Sequence, residues 1–264
     1  MDAPDGGRFC VLTRPPGPPV GGMLFVPPFA EELNKSRRMV ALAARAFAEQ
    51  GWMTLQMDHF GCGDSAGEFS QATWQHWIDD VESGWRWLKG RCDAPLALWT
   101  LRAGSLLASA WLEAAGERAA MLMWQPVVSG RQHLNQFLRL KAAAQMLADA
   151  DARTAMARAR QDLANGAAVS VAGYTVHPEL ARGLDAAALH LRTDHDAPVL
   201  MLEVSGVARA GASPALEALA ERIRAAGAPA VLESVSGPAF WQTLEIETAG
   251  SLIDRSVQLL EHLH

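Results

Sequence analysis

Cysteine is scarce in this 264-residue chain, and the three present are an odd number set far apart: Cys10, Cys62 and Cys92. With no CxxC pair and no histidine at zinc-site spacing, a disulfide framework and a structural zinc site are both excluded, and reduced thiols in a cytoplasm are expected. Long hydrophobic runs are missing too. No window approaches the roughly 18 apolar residues needed to span a bilayer, so no membrane span is expected. Positive charge is in deficit, with 23 Lys+Arg against 29 Asp+Glu and no sustained basic run, which argues against a nucleic-acid partner. The opening MDAPDGGRFCVLTRPPG carries acidic residues and prolines where a signal peptide has a basic start and an apolar stretch, so secretion by that route is not expected. No internal repeat or low-complexity linker interrupts the chain. No metal ligand set and no cofactor motif stands out.

What is present is an alternation of short apolar strands and helices. Residues 8–14 (RFCVLTR) and 20–26 (VGGMLFV) read as two strands around the turn-forming PPGPP, the beginning of an antiparallel hairpin. From Lys35 to Gln50, apolar residues at Met39, Leu42, Ala43, Ala46 and Phe47 mark one buried helical face, and Gly51 ends it. A strand at 52–57 opens into the glycine-rich turn Asp58–Ser65. A helix follows over 73–88, whose Trp74, Trp77 and Trp85 stripe has the spacing of core packing rather than of a sugar platform. Asp58 and Asp64 flank the turn and suit Asx-type bonds better than metal ligation. Strands at 96–100, 119–124, 198–204 and 229–235 alternate with helices at 105–116, 213–226 and 245–263. Between them, 130–192 breaks the rhythm with helical Ala/Arg/Leu stretches. The expected architecture is a mainly parallel sheet with helices on both faces, a core of 1–129 and 193–264, and an inserted helical cap at 130–192.

One turn in this pattern is chemically informative. In an α/β-hydrolase fold, a strand enters a tight GxSxG turn that lifts a serine nucleophile above the sheet, beside backbone N–H donors. The corresponding stretch here is Thr100-Leu101-Arg102-Ala103-Gly104, after an apolar strand and before the helix that starts Ser105-Leu106-Leu107-Ala108. Arginine remains charged at any relevant pH and cannot attack a carbonyl, so Arg102 in the serine's place removes the acyl-enzyme route. The rest of the triad is missing as well. An acid is expected after the strand at 198–204, where the chain reads Ser205-Gly206-Val207-Ala208-Arg209-Ala210. A histidine is expected after the strand at 229–235, where it reads Ser236-Gly237-Pro238-Ala239-Phe240-Trp241. No histidine lies between 196 and 261; His59, His76, His133, His177, His190 and His195 come too early, and His262 and His264 end the last helix. Ser105, Ser65 and Cys62 are poor substitutes, since none stands in the elbow with a recognisable base.

The segments VPPFAEELNKSRRM (26–39), DHFGCGDSAGEF (58–69), LRAG (101–104), VAGY (171–174), LEVSGVARAGASPA (202–215) and GPAFWQTLEIE (237–247) together resemble the exosortase A system-associated hydrolase family, second type, a branch of the α/β-hydrolase superfamily. The resemblance spans nearly the whole chain. It implies an α/β-hydrolase fold in a setting of exopolysaccharide export and protein sorting, and it supplies no substrate.

In such a fold Arg102 sits at a helix N-terminus beside the Ala103 N–H, opposite the Phe29 N–H, so the former oxyanion hole becomes a preorganised anion site. The expected ligand pocket is Phe29, Ala30, Glu31, Glu32, Arg102, Ala103, Phe240 and Trp241, lying beneath the cap and taking an anionic small molecule. The competing structural role is a plugged site, with Arg102 neutralised by Glu31, Glu32 or Glu203. Three functions stay open: a non-hydrolytic binding or accessory protein; an esterase, thioesterase or acyltransferase with an unconventional site; and a module that docks on the polysaccharide or sorting machinery.

Overall fold

The computed structural model describes residues 1–146, 152–206 and 211–263. The middle of the expected cap at 147–151, the Val207–Ala210 part of the turn where an acid is expected, and His264 lie outside the described residues. The chain divides into two compact units: Cys10–Met57, Val81–Val128 and Leu189–His264 form one, and Met1–Phe9, Asp58–Asp80 and Ser129–Ala188 the other.

The first unit holds a seven-stranded sheet: β1 (Cys10–Thr13), β2 (Gly21–Val26), β3 (Trp52–Met57), β4 (Leu96–Leu101), β5 (Ala120–Trp124), β8 (Val199–Ser205) and β9 (Ala230–Ser236), in the order β1-β3-β2-β4-β5-β8-β9. All neighbours are parallel except β1 with β3. This corrects the expected hairpin. β1 pairs with β3, Cys10 opposite Met57, while β2 lies between β3 and β4. The burial pattern explains the difference. Every residue of β2 is buried, the mark of a central parallel strand, whereas β1 is partly exposed and suits an edge.

Because side chains alternate along a strand, β2 and β4 feed both faces of the sheet. Met23, Phe25, Trp99 and Leu101 join one core cluster with Met39, Ala43 and Phe47 of α1 (Glu31–Glu49) and Leu252 and Leu259 of α8 (Gly250–Leu259). Rings carry much of this packing: Trp99 stands 4.7 Å from Phe25, 5.0 Å from Phe47 and 4.8 Å from Trp124, centroid to centroid. On the opposite face, a Cβ at Gly84 of α2 (Trp74–Lys89) would come within 2.9 Å of Leu24, and Trp85 of α2 meets Trp111 of α3 (Gly104–Ala115) at 5.1 Å. The helix α7 (Pro214–Ala225) precedes β9. Two helix ends differ from expectation. α1 begins a turn earlier, at Glu31, and α8 begins five residues later than the predicted 245, at Gly250.

The second unit contains α4 (Gly130–Met146), α5 (Ala152–Ala164), the small antiparallel pair β6 (Val169–Val171) and β7 (Tyr174–Val176), and α6 (Pro178–Ala186). Arg160 of α5 ties the helices together, donating from Nε to Asn135 at 2.6 Å and from Nη2 to Asp185 at 2.9 Å. Gly130 lets α4 start hard against α6, since a Cβ there would lie 1.8 Å from the Leu184 carbonyl. The same unit encloses Arg8, whose Nε donates to Asp80 at 2.6 Å, Nη1 to the Gly6 carbonyl at 2.8 Å and Nη2 to Asp5 at 2.6 Å. Asp80 also accepts from the Phe60 N–H at 2.7 Å and lies 3.6 Å from His59 Nδ1. Trp77 is buried as core, its indole donating to the Phe60 carbonyl, and Asp58 accepts from the Asp64 N–H at 3.3 Å, the expected Asx-type bond.

Candidate functional site

The strand order sets where a ligand can lie. From β2 the chain steps to β3 on one side and then returns to β4 on the other, so the carboxyl ends of β2 and β4 bound a topological switch point, the usual crevice for ligands in open α/β sheets. Phe29–Glu32 follow β2, and Arg102 follows β4.

The turn after β4 keeps the geometry of a nucleophile elbow without the nucleophile. Arg102 has φ 53°, the left-handed region that side chains other than glycine rarely occupy. It is locked there on both sides. Its N–H donates to the Trp124 carbonyl at 3.0 Å, and its own carbonyl accepts from the Ser105 N–H at 3.1 Å and the Ser105 hydroxyl at 2.8 Å. Gly104 is required: a Cβ would sit 2.3 Å from the Val26 carbonyl oxygen, so α3 can leave the turn in this direction only without a side chain at that position. Thr100, which stands where the motif has its first glycine, is fully buried.

Arg102 Nε donates to Glu32 Oε1 at 3.1 Å, and its guanidinium carbon lies 5.4 Å from the centre of the Trp241 ring. The internal partner foreseen among three glutamates is therefore Glu32. Glu203, on β8, instead accepts from the Ser213 N–H at 2.6 Å. Burial drives the Glu32 carboxyl up from 4.5 to about 7, even though the adjacent Arg102 charge pulls it down. Glu31 is raised for the same first reason, with Lys35 and Arg102 opposing. The cause of both positions is the early start of α1. Its first turn begins at Glu31, after Ala30, which itself has φ 51°.

Of the other expected pocket residues, Ala103 directly follows the elbow, and its N–H makes no hydrogen bond among the described residues. Phe29 is buried, and its carbonyl accepts from the Glu32 N–H. Phe240 does not line the site as expected. It is fully buried, 6.3 Å from Trp124 and 5.1 Å from Trp241, and acts as backing for the Trp241 ring. Trp241 occupies the loop after β9, where a triad would carry its base. Lys35 was missed in the sequence; its Nζ donates to the Gln242 carbonyl at 3.4 Å, beside Trp241. An i, i+4 relation to Glu31 on one helix face was the signal available for it.

The two serines among the alternative nucleophiles are otherwise engaged. Ser105 Oγ bonds the Arg102 and Val127 carbonyls and accepts from the Val127 N–H, and Ser65 Oγ donates to the Asp58 carbonyl. Among the described residues, no group of His, Cys, Asp and Glu could hold a metal ion, and no helix is long and apolar enough to cross a membrane.

No family model and no curated protein matches the sequence. Solved structures do resemble it along its whole length. Est1E from Butyrivibrio proteoclasticus, with ferulic acid bound, matches at TM-score 0.71 and 14% identity over 99% of this chain and 97% of that one. A thermostable carboxyl esterase from Bacillus coagulans matches at 0.65 and 12% over 100% and 97%. An α/β serine hydrolase homologue from Coxiella burnetii matches at 0.57 and 16% over 100% and 95%. At such identities the likeness is one of fold, and the chain has the α/β-hydrolase fold.

Proposed function

We propose that this α/β-hydrolase-fold protein does not perform serine-hydrolase chemistry and instead uses the former catalytic crevice to bind a small molecule through its acidic group, as an accessory protein. The observation that carries the reading is Arg102. It holds the nucleophile's strained backbone position, is ion-paired to Glu32, and faces an indole where a base would stand. A carboxylate or phosphate can accept from the guanidinium Nη groups, which have no bond to described residues, and from the Ala103 N–H at the start of α3. The setting in an exosortase A and exopolysaccharide system, in the cytoplasm, rests on the sequence segments quoted above.

The test compares wild type with Arg102→Ala and Arg102→Ser. Short-chain esters and thioesters should show no turnover above background with any of the three, because restoring a serine restores no base. Serine- and cysteine-directed probes should leave the wild type unlabelled. A panel of carboxylates and phosphates, beginning with ferulic acid, should raise the melting temperature of wild type and not of Arg102→Ala. Ester turnover with Arg102 in place would sink this reading and favour an esterase, thioesterase or acyltransferase with an unconventional nucleophile.

A further inference from the structure

The residues around Arg102 offer acceptors as well as donors. Glu32 is buried; one oxygen bonds Arg102 and the other, Oε2, has no donor among the described residues. Glu31 Oε2 is likewise shut from solvent without a donor. Buried acceptors left in this state are costly, and native structures keep few of them. Alongside them stand unused donors: the Nη groups of Arg102 and the Ala103 N–H. Lys35 and Arg102 carry two positive charges, and Glu31 and Glu32 two carboxyls, so the fully ionised cluster is electrically balanced.

A simple anion would satisfy the donors and meet repulsion from the two carboxyls; a simple cation would do the reverse. A molecule bearing both signs a few bonds apart satisfies both halves. Resting on the binding reading above, we infer that the ligand is a small zwitterion of the α-amino-acid kind. Its carboxylate lies on Arg102 Nη and the Ala103 N–H, its ammonium group on the Oε2 atoms of Glu31 and Glu32, and its apolar side on Trp241. The indole is itself buried, and its ring centre lies 5.4 Å from the Arg102 guanidinium carbon, so an aromatic ring adjoins the charged groups.

Titration calorimetry at pH 8, above the value near 7 that the Glu32 carboxyl reaches, compares L-phenylalanine with 3-phenylpropionate and L-alanine with propionate. Each amino acid should bind at least tenfold more tightly than its des-amino partner. Glu31→Gln, at a half-buried position that tolerates an amide, should shrink that gap to a few-fold, while Arg102→Ala abolishes binding of all four. Equal, Arg102-dependent binding of acids and amino acids overturns the zwitterion and leaves the anion-binding reading standing. A gap that survives Glu31→Gln overturns the placement of the ammonium group. Absence of binding by every member of the panel overturns both.

Discussion

Among the described residues, each compact unit has an arginine paired with a buried carboxylate, Arg8 with Asp80 and Arg102 with Glu32, and the two pairs are built on opposite plans. In the unit that holds α4–α6, Arg8 is sealed in and every nitrogen of its guanidinium has an acceptor: Asp80, the Gly6 carbonyl and Asp5. Asp80 takes an N–H from Phe60 besides Arg8, and has His59 within 3.6 Å. Burial works against its ionisation, but His59, the Phe60 N–H and Arg8 outweigh it and hold the carboxyl below its ordinary value. In the sheet-bearing unit, Arg102 spends one nitrogen on Glu32 and Glu32 one oxygen on Arg102, and burial prevails, lifting that carboxyl to about 7. The first pair is a finished structural joint, whereas the second is left incomplete at the end of the strands, where a ligand would complete it. The comparison separates what an ion pair does for a fold from what it can do in a site.

Breaking the finished pair should have the largest effect. Asp80→Asn leaves Arg8 charged, buried and deprived of its main counter-ion. Losses from such one-sided removal run to about 3–5 kcal/mol, so urea unfolding should find the midpoint sharply lowered. A loss under about 1 kcal/mol would mean that the Arg8 cluster is not the joint described.

Arg102→Ala should cost less, and the cost should depend on pH, because Glu32 can escape its solitude by keeping a proton. In the wild type, the folded Glu32 carboxyl is raised from 4.5 to about 7. Between those values the folded protein holds a proton that the unfolded chain releases, so this group's contribution to stability falls as pH rises through the window and is level above it. Removing Arg102 removes the attraction that opposed burial, moves the folded value higher and extends the fall beyond pH 7. The destabilisation of Arg102→Ala relative to wild type should thus be smallest near pH 5.5 and grow by about 1–2 kcal/mol by pH 8. The same comparison in a Glu31→Gln/Glu32→Gln background, which also removes the other carboxyl that Arg102 lowers, should be flat with pH. Persistence of the pH dependence there would assign it to another group.

The sheet and its helices were legible because strands that are apolar throughout and helices with one apolar stripe leave a periodic signal. The place of β1 was not, since PPGPP reads as a hairpin turn whether or not another strand comes between; only the burial of all six β2 residues distinguishes the two. At the site, Arg102 and Ala103 were readable because an elbow is local, bounded by Leu101 and Gly104 in sequence. Glu32 could be named only as one of three candidates, because its meeting with Arg102 crosses 70 positions and depends on α1 starting at Glu31. Phe240 and Trp241 both pack into the core cluster, but Trp241 also reaches Arg102, and nothing short of the loop's path after β9 tells which of the two does so.

The smallest effect concerns the backbone beneath the incomplete pair. Within helices and strands alanine is more stabilising than glycine, whose unfolded chain is freer, by about 0.5–1 kcal/mol. At position 102 the order should reverse. A residue with a Cβ at φ 53° bears roughly 1–2 kcal/mol of steric cost that glycine avoids. Arg102→Ala and Arg102→Gly remove the ion pair and the indole contact equally, so their difference isolates the strain of the elbow. Arg102→Gly should be the more stable of the two by about 0.5–1 kcal/mol in thermal or urea unfolding at any single pH. Were alanine equal or better, the turn would be relaxed, and the elbow geometry would have persisted for packing against β2 through Gly104 rather than for presenting the residue at its tip.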